Sequence, residues 1–174
     1  MSLNIIFTSA GIRQRDNMQF NIDGYLPSGL HDHDEGSIKL HLVDSFPASS
    51  TRPAIWSGYL QHSEELRSVG VEVTEFINGS FSTTKNDPSD IDLVGFADAD
   101  TVNKLTPAEQ AKFEELFKGK ATKAKYMCDA YFLATVPPGH PHEQQVRTMR
   151  KYWMGEFGFD RQDRPKGIIR TVVK

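Results

Sequence analysis

The segment that decides the fold spans residues 77–93 and reads INGSFSTTKNDPSDIDL. Residues 71–78 predict a strand that leads directly into Gly79-Ser80. A loop rich in turn-forming residues follows, and residues 90–96 predict a second, short strand. The segment therefore joins two strands through a glycine-containing turn and a polar loop.

Two aspartates lie on one face of this second strand. Successive side chains of a strand point to opposite faces, so Asp90 and Asp92 share a face while Ile91 and Leu93 point into the core. Adjacent carboxylates repel each other, and stability alone gives no reason to place them together. A hard divalent cation takes oxygen ligands and supplies the missing charge. The pair therefore predicts a site for Mg²⁺ or Mn²⁺.

A third carboxylate is expected close to this pair. Residues 126–136 predict the clearest strand of the chain, and Asp129 lies in its largely apolar interior. A buried ionised aspartate without a partner is costly, so Asp129 must be paired or bound to metal. If this strand lies beside the second, the three carboxylates form a two-metal site. The alternative is a salt bridge to a buried Arg or Lys.

The turn between the first two strands is suited to an anion. A strand that ends in Gly79 offers backbone N–H groups and a close approach of the backbone to a phosphate. The Ser80 hydroxyl can donate to a triphosphate oxygen, and Lys85 adds positive charge from the loop. Gly-Ser alone is a common turn. The spacing of nine residues, 81–89, between it and Asp90 is what makes it informative.

The rest of the chain predicts an α+β protein, a mixed β-sheet with flanking helices. We expect one domain over residues 1–174, with an irregular N-terminal segment at 1–52. The metal- and nucleotide-binding core is expected at 71–136, and a C-terminal helix and strand at 140–174. Further helices are predicted after Pro53, from Thr106 to Phe117 and from His142 to Phe157, and a last strand from Gly167 to Val173.

Charge and composition narrow the setting. Residues 118–174 hold 12 basic and 5 acidic residues, a net charge of +7 within a chain whose net charge is −3. This third of the chain could face phosphates, or the surface could simply be uneven. No apolar run is long enough for a membrane span, so no membrane partner is expected. Cys128 is the only cysteine, which favours a reducing, cytoplasmic setting.

A basic stripe is predicted on the C-terminal helix. Arg147, Arg150 and Lys151 fall on one face at spacings of three and four residues, beside an apolar stripe that includes Met149. They are candidate contacts to an acceptor nucleic acid or to nucleotide phosphates. A stripe that only faces solvent explains them almost as well.

The motif formed by an apolar residue, Gly-Ser, nine residues and Asp-apolar-Asp-apolar resembles the signature of the polymerase-β-like nucleotidyltransferase superfamily. The resemblance implies that Asp90 and Asp92 bind both metals, that Asp129 activates the attacking hydroxyl, and that Gly79 and Ser80 hold a nucleoside triphosphate. It also implies a minimal nucleotidyltransferase fold. Residues 24–31 and 158–168 are similar to segments of compact bacterial and phage-type members, which are largely uncharacterised.

The expected activity is transfer of a nucleoside monophosphate from a nucleoside triphosphate to a hydroxyl of RNA such as tRNA, of a protein or of a small molecule. Compact superfamily members suggest a toxin–antitoxin or phage-defence setting. Larger members add a helical domain that grips the acceptor, and this chain has little room for one, so a partner protein is a candidate for that role. The alternatives are a non-catalytic member that binds nucleotide or a partner, and a metal-dependent hydrolase.

Overall fold

A computed structural model describes residues 18–174, and its strands form one mixed sheet. The strands are β1 (Gly29–Asp32), β2 (Val73–Asn78), β3 (Ile91–Asp98), β4 (Cys128–Thr135) and β5 (Gly167–Val173), in the spatial order β1-β5-β2-β3-β4. The β1–β5 and β3–β4 pairs are parallel, whereas β5–β2 and β2–β3 are antiparallel. The predicted second and third strands are therefore neighbours.

Helices cover both faces of the sheet, so the α+β class predicted from the sequence is confirmed. They are α1 (Glu35–Lys39), which continues as a π-helical turn (Leu40–Asp44), α2 (Arg52–Arg67), α3 (Ala99–Asn103), α4 (Pro107–Glu115), α5 (Lys123–Tyr126) and α6 (Glu143–Gly158). The start of α4 follows its sequence signal. Thr106 and Glu109 form a reciprocal capping box, and Pro107 opens the helix.

Two apolar clusters show which face each strand residue occupies. One face packs against α1, α2, α4 and α5 and includes Ile77, Leu93 and Cys128. The other packs against α6 through Val94 and Phe157, together with Phe76, Phe96 and Ile168. Because side chains alternate along a strand, the residues next to Leu93 and Cys128 point towards the α6 face.

Three expectations from the sequence need correction. Residues 1–52 were expected to be irregular, yet residues 29–44 form β1, α1 and the π-helical turn, while residues 1–17 lie outside the described part. The third strand starts at Cys128, because Met127 has a φ of 55° and ends α5. On α6, Phe157 is buried but Met149 is exposed, so the predicted apolar stripe is only partly covered.

A buried acid lies beneath the sheet on the α2 face. Glu75 is fully buried, and the Tyr59 hydroxyl donates to its Oε2 at 2.9 Å. The ring Nδ1 of His62 lies 3.9 Å from its Oε1. Burial raises the pKa of Glu75 from its ordinary value of 4.5 to about 7, despite the opposing bond from Tyr59. Glu35 and Arg67 also act on Glu75 through their charges.

We expect Glu75→Gln to remove part of the pH dependence of folding. A raised pKa stabilises the fold below pH 4.5, and this contribution is lost as the pH rises to about 7. The free energy of unfolding of the variant relative to wild type should therefore increase by about 3 kcal/mol between pH 4.5 and pH 8. Urea unfolding at both pH values measures it. A constant difference between the two proteins would contradict the assignment.

Candidate metal and nucleotide site

Three polar residues form a row across three neighbouring strands at one end of the sheet. Asn78 is the register partner of Asp92, and Asp92 is the register partner of Asp129. All three lie on the α6 face, because they alternate with residues of the opposite cluster. The predicted neighbourhood of Asp92 and Asp129 is thus present in the fold.

The turn at Gly79 lies against Asp92, the middle residue of this row. Gly79 has a φ of +81°, and a Cβ added there would lie 1.9 Å from Oδ2 of Asp92. Only glycine therefore allows this backbone to lie against the carboxylate. The Gly79 N–H donates to Oδ1 of Asn78 at 2.7 Å, so it is not free for an anion as the sequence suggested. The half-buried Ser80 has a hydroxyl that makes no hydrogen bond to any residue from 18 to 174.

Asp90 lies just before β3 and is turned towards a lysine. Its carboxylate forms an ion pair with Lys123 of α5 and accepts a hydrogen bond from the Ser89 hydroxyl at 2.9 Å. The hydrogen bond to Asp90 raises the pKa of Lys123, and the charges of Asp129 and Asp92 add to the effect. Lys123 is therefore the counter-ion of Asp90, and it also lies in the field of Asp92 and Asp129.

Asp129 keeps an unpaired oxygen in the interior. The residue is 8% exposed, and its Oδ1 is buried without a hydrogen-bond partner among the described residues. The salt bridge to a buried Arg or Lys, the alternative from the sequence, is not formed within residues 18–174. Such an atom is costly unless a cation or proton reaches it.

The neighbouring carboxylates also affect the pKa of Asp92. Burial, followed by the charges of Asp90 and Asp129, raises the pKa of Asp92, and Lys166 and Lys123 oppose the shift. The donor set therefore fits a divalent cation, which prefers carboxylate oxygens and would offset this repulsion. In the arrangement seen, no group of three His, Cys, Asp or Glu residues within the described chain could hold a metal ion. Asp90 would first have to exchange Lys123 for the metal.

A buried arginine supports the loop that follows Ser80. The Arg52 guanidinium donates to four main-chain carbonyls, those of Leu42, Phe81, Thr83 and Lys85, at 2.6–2.8 Å. The Lys85 side chain remains exposed, as a loop lysine near a phosphate would need to be. Sequence reasoning missed Arg52, because an arginine at the start of a helix has no pattern that predicts burial.

Two further residues at this end of the sheet were missed. Asn78 links the glycine turn to β5, since its Nδ2 donates to the Gly167 carbonyl at 2.9 Å. Lys166, just before β5, is half-buried and lies in the field of Asp92. The polar residue directly before Gly79 was an available signal for Asn78. For Lys166, the similarity of residues 158–168 to related proteins was the available signal.

A basic residue of α6 lies at the end of β3 opposite Asp92. Arg147, Arg150 and Lys151 are exposed, and Arg150 lines a cavity of 410 Å³ with Asp98, the last residue of β3. Asp98 lies six positions after Asp92 on β3, which corresponds to about 20 Å. Only an acceptor long enough to cross the α6 face would contact both regions.

The fold and this row of residues define an α+β protein with a carboxylate-lined site at one end of a mixed sheet. The chain belongs to DUF6932, a family of unknown function, whose profile matches residues 18–172. No curated protein and no solved structure matches the chain. The helices of the described part are too short or too polar to cross a membrane.

Proposed function

We propose that this protein is a metal-dependent nucleotidyltransferase with a minimal polymerase-β-like fold. It would move a nucleoside monophosphate from a nucleoside triphosphate to a hydroxyl acceptor and release pyrophosphate. The observation that carries the proposal is the Asp92–Asp129 pair with its buried, unpaired Oδ1, next to the Gly79 turn. Burial and the charges of Asp90 and Asp129 raise the pKa of Asp92, so the ionised carboxylate pair is unfavourable for the fold.

The order of elements supports the fold assignment. The Gly-Ser turn follows β2, the Asp-x-Asp motif opens the antiparallel neighbour β3, and the third carboxylate lies on β4 beside it. Asp90, Asp92 and Asp129 would hold two Mg²⁺ or Mn²⁺ ions. Such a pair of cations stabilises the charge on the attacking and leaving oxygens of a phosphoryl transfer.

The side chains have separate roles in the proposed reaction. The acceptor oxygen forms a bond to the α-phosphorus while the bond from that phosphorus to the bridging oxygen of the β-phosphate breaks, and pyrophosphate leaves. Asp129 takes the proton of the acceptor hydroxyl. The Ser80 hydroxyl, which has no partner among residues 18–174, donates to a phosphate oxygen, and Lys85 adds positive charge at the loop.

The acceptor is best sought among polynucleotides and partner proteins. Arg147, Arg150 and Lys151 are exposed on α6, and Arg150 shares a cavity with Asp98, which lies about 20 Å of strand from Asp92. A long acceptor such as tRNA or a partner protein would be able to contact these residues as well as Asp129. These residues remain predicted acceptor contacts.

The first test is stabilisation by ligand. Each nucleoside triphosphate is added with Mg²⁺ or Mn²⁺, and the melting temperature is compared for wild type and Asp90→Ala/Asp92→Ala. Binding to the folded state raises the melting temperature by mass action, and the double variant should lose the rise. Asp98→Ala/Asp100→Ala is the matched control, with the same spacing at the other end of β3. No rise in wild type with any triphosphate would refute the proposal.

A second candidate is a member that binds nucleotide or a partner without catalysis. The observation in its favour is the ion pair between Asp90 and Lys123, which gives this carboxylate a cation from the chain itself. The enzyme and the non-catalytic member differ in whether a nucleotidyl product and pyrophosphate are formed. Transfer of an α-phosphate label to tRNA or protein, with pyrophosphate release that Asp129→Asn abolishes, supports the enzyme. Binding without release supports the non-catalytic member.

We expect Lys123→Ala to strengthen metal binding roughly tenfold. Lys123 competes with the metal for Asp90, and one unit charge near a divalent ion changes its free energy by about 1 to 2 kcal/mol in a water-like environment. Titration with Mn²⁺ measures the dissociation constant. Lys125→Ala is the control, because that lysine of the same helix pairs with Glu65. Equal affinity in wild type and Lys123→Ala would show that no competition occurs.

A further inference from the structure

The loop between α6 and β5 is anchored to the N-terminal part of the described chain. The Tyr25 hydroxyl donates to Oδ2 of Asp160 at 2.8 Å. Arg164 donates to the same hydroxyl at 3.0 Å, and it also pairs with Asp160 and Asp23. The Arg164–Asp160 ion pair joins two positions of the loop, and the bonds to the Tyr25 hydroxyl attach the loop to the N-terminal part. The two segments noted for their resemblance to related proteins therefore meet in one structure.

This anchoring fixes the main chain around Lys166. The Lys166 N–H donates to the Gly158 carbonyl at 2.8 Å, and the Gly167 N–H donates to the Leu26 carbonyl at 2.9 Å. A Cβ on Gly167 would lie 2.4 Å from the Pro27 carbonyl oxygen, so the chain can approach this closely only as glycine. The main chain at Lys166 is thus fixed by its own bond to Gly158 and by the bond of Gly167 to Leu26.

Its ammonium, by contrast, has no partner. Lys166 is half-buried, and its side chain forms no hydrogen bond or ion pair with any of residues 18–174. Burial lowers the pKa of Lys166, while the charges of Asp92 and Asp160 oppose the shift. A partly desolvated cation that no described side chain pairs is available to an anionic ligand.

The position of Lys166 also relates it to the glycine turn. One side chain, that of Asn78, accepts from the Gly79 N–H and donates to the Gly167 carbonyl. Lys166 precedes Gly167, and Ser80 follows Gly79. The Lys166 ammonium and the Ser80 hydroxyl, both unpaired within the described part of the chain, therefore lie at the same end of the sheet as Asp92. A compact ammonium is suited to phosphate oxygens as a point charge.

We propose that Lys166 binds the terminal phosphates of the donor and makes the site selective for a nucleoside triphosphate over a monophosphate. This rests on the proposed function and adds a residue and a ligand preference to it. The metal-bound carboxylates hold the donor near its α-phosphate. Lys166 neutralises charge further along the phosphate chain.

Equilibrium binding tests the assignment. The affinities of a nucleoside triphosphate, diphosphate and monophosphate are measured by calorimetry with Ca²⁺, which limits turnover, and with Mg²⁺. Lys166→Met keeps most of the apolar stem and removes the charge. It should weaken triphosphate binding by about 10- to 100-fold, the range for a hydrogen bond to a charged group. Monophosphate binding should change less than about twofold, because its phosphate lies at the metals. Lys166→Arg should retain part of the preference.

The melting temperature of the free protein distinguishes a role of Lys166 in phosphate binding from a structural role. Since the Lys166 ammonium has no partner among the residues that the structure describes, Lys166→Met should leave the melting temperature of the free protein unchanged or higher. Lys104→Ala, an exposed lysine beyond the other end of β3, should change neither quantity. Equal weakening for tri- and monophosphate, or unchanged triphosphate affinity, overturns the assignment and leaves the proposed function standing. If wild type binds no triphosphate, both are overturned.

Discussion

Asp92→Asn is expected to stabilise the free protein and to abolish its stabilisation by a metal–triphosphate complex. Asp92 is half-buried, and both burial and the charges of Asp90 and Asp129 raise its pKa. A raised pKa means that the fold loses stability as the pH rises through it, so the ionised carboxylate is unfavourable at neutral pH. Asparagine keeps the shape and removes the charge.

The two effects have different magnitudes. With allowance for partial exposure, removing the charge should raise the free energy of unfolding by about 1 kcal/mol. That corresponds to about 2–4 °C in melting temperature for a chain of this size. Ligand at 100 times its dissociation constant stabilises wild type by about 2.7 kcal/mol, and the variant should lose this entirely.

Calorimetric melting at pH 7.5, with and without Mg²⁺ and triphosphate, measures both. The control is Asp100→Asn, an exposed aspartate in α3, which should keep the full effect of the ligand. A lower melting temperature of free Asp92→Asn would mean that the carboxylate has a structural partner. A binding residue is recognised because its substitution stabilises the free protein and removes the stabilisation by ligand. Substitution of a structural residue would destabilise the free protein.

The centre of the site could be predicted from the sequence because its signals are local. Asp92 and Asp129 each interrupt an apolar strand, and a carboxylate in that position needs a cation wherever the strand lies. That β3 and β4 are neighbours was an assumption about the sheet, and their parallel register confirms it. Gly79 could be predicted as a turn, but its contact with Asp92 depends on the pairing of β2 with β3.

The surroundings of the site depend on long-range contacts and could not be predicted. β1 pairs with β5, more than 130 residues later in the chain, and no local pattern marks such a partner. Lys123 and Lys166 belong to segments whose positions are set by α5 and by the Tyr25 contacts. Their sequence neighbours do not show which carboxylate they face. From the sequence, a lysine shows only that positive charge is present. Which carboxylate it interacts with is known only once the fold is known.

Arg52→Met is expected to destabilise the fold by about 3–5 kcal/mol, the range for removing one partner of a buried charged network. The guanidinium is fully buried, and burial lowers its pKa to about 10, so it is still protonated at neutral pH. Its four carbonyl partners lie in two segments, Leu42 before α2 and residues 81–85 after Ser80. Methionine would leave these carbonyls without a donor.

Two aromatic rings lie close to the Arg52 guanidinium. Its central carbon lies 3.8 Å from the Phe46 ring centroid and 5.2 Å from that of Phe81. Arg52→Lys keeps the charge, but one ammonium has three donors and cannot reach four carbonyls spread around a planar group. The loss of stability in this variant should be intermediate.

Urea unfolding measures these losses, with Arg67→Met as the control. Arg67, at the other end of α2, pairs with Glu35 and Glu64 near the surface, so its loss should be below about 1 kcal/mol. The loop held by Arg52 begins directly after Ser80, so triphosphate affinity should fall in Arg52→Lys even where the protein is fully folded. Unchanged affinity in folded Arg52→Lys would mean that the order of this loop is not needed for binding. Arg52 would then stabilise the fold alone, and the nucleotide would depend on the carboxylates and Ser80.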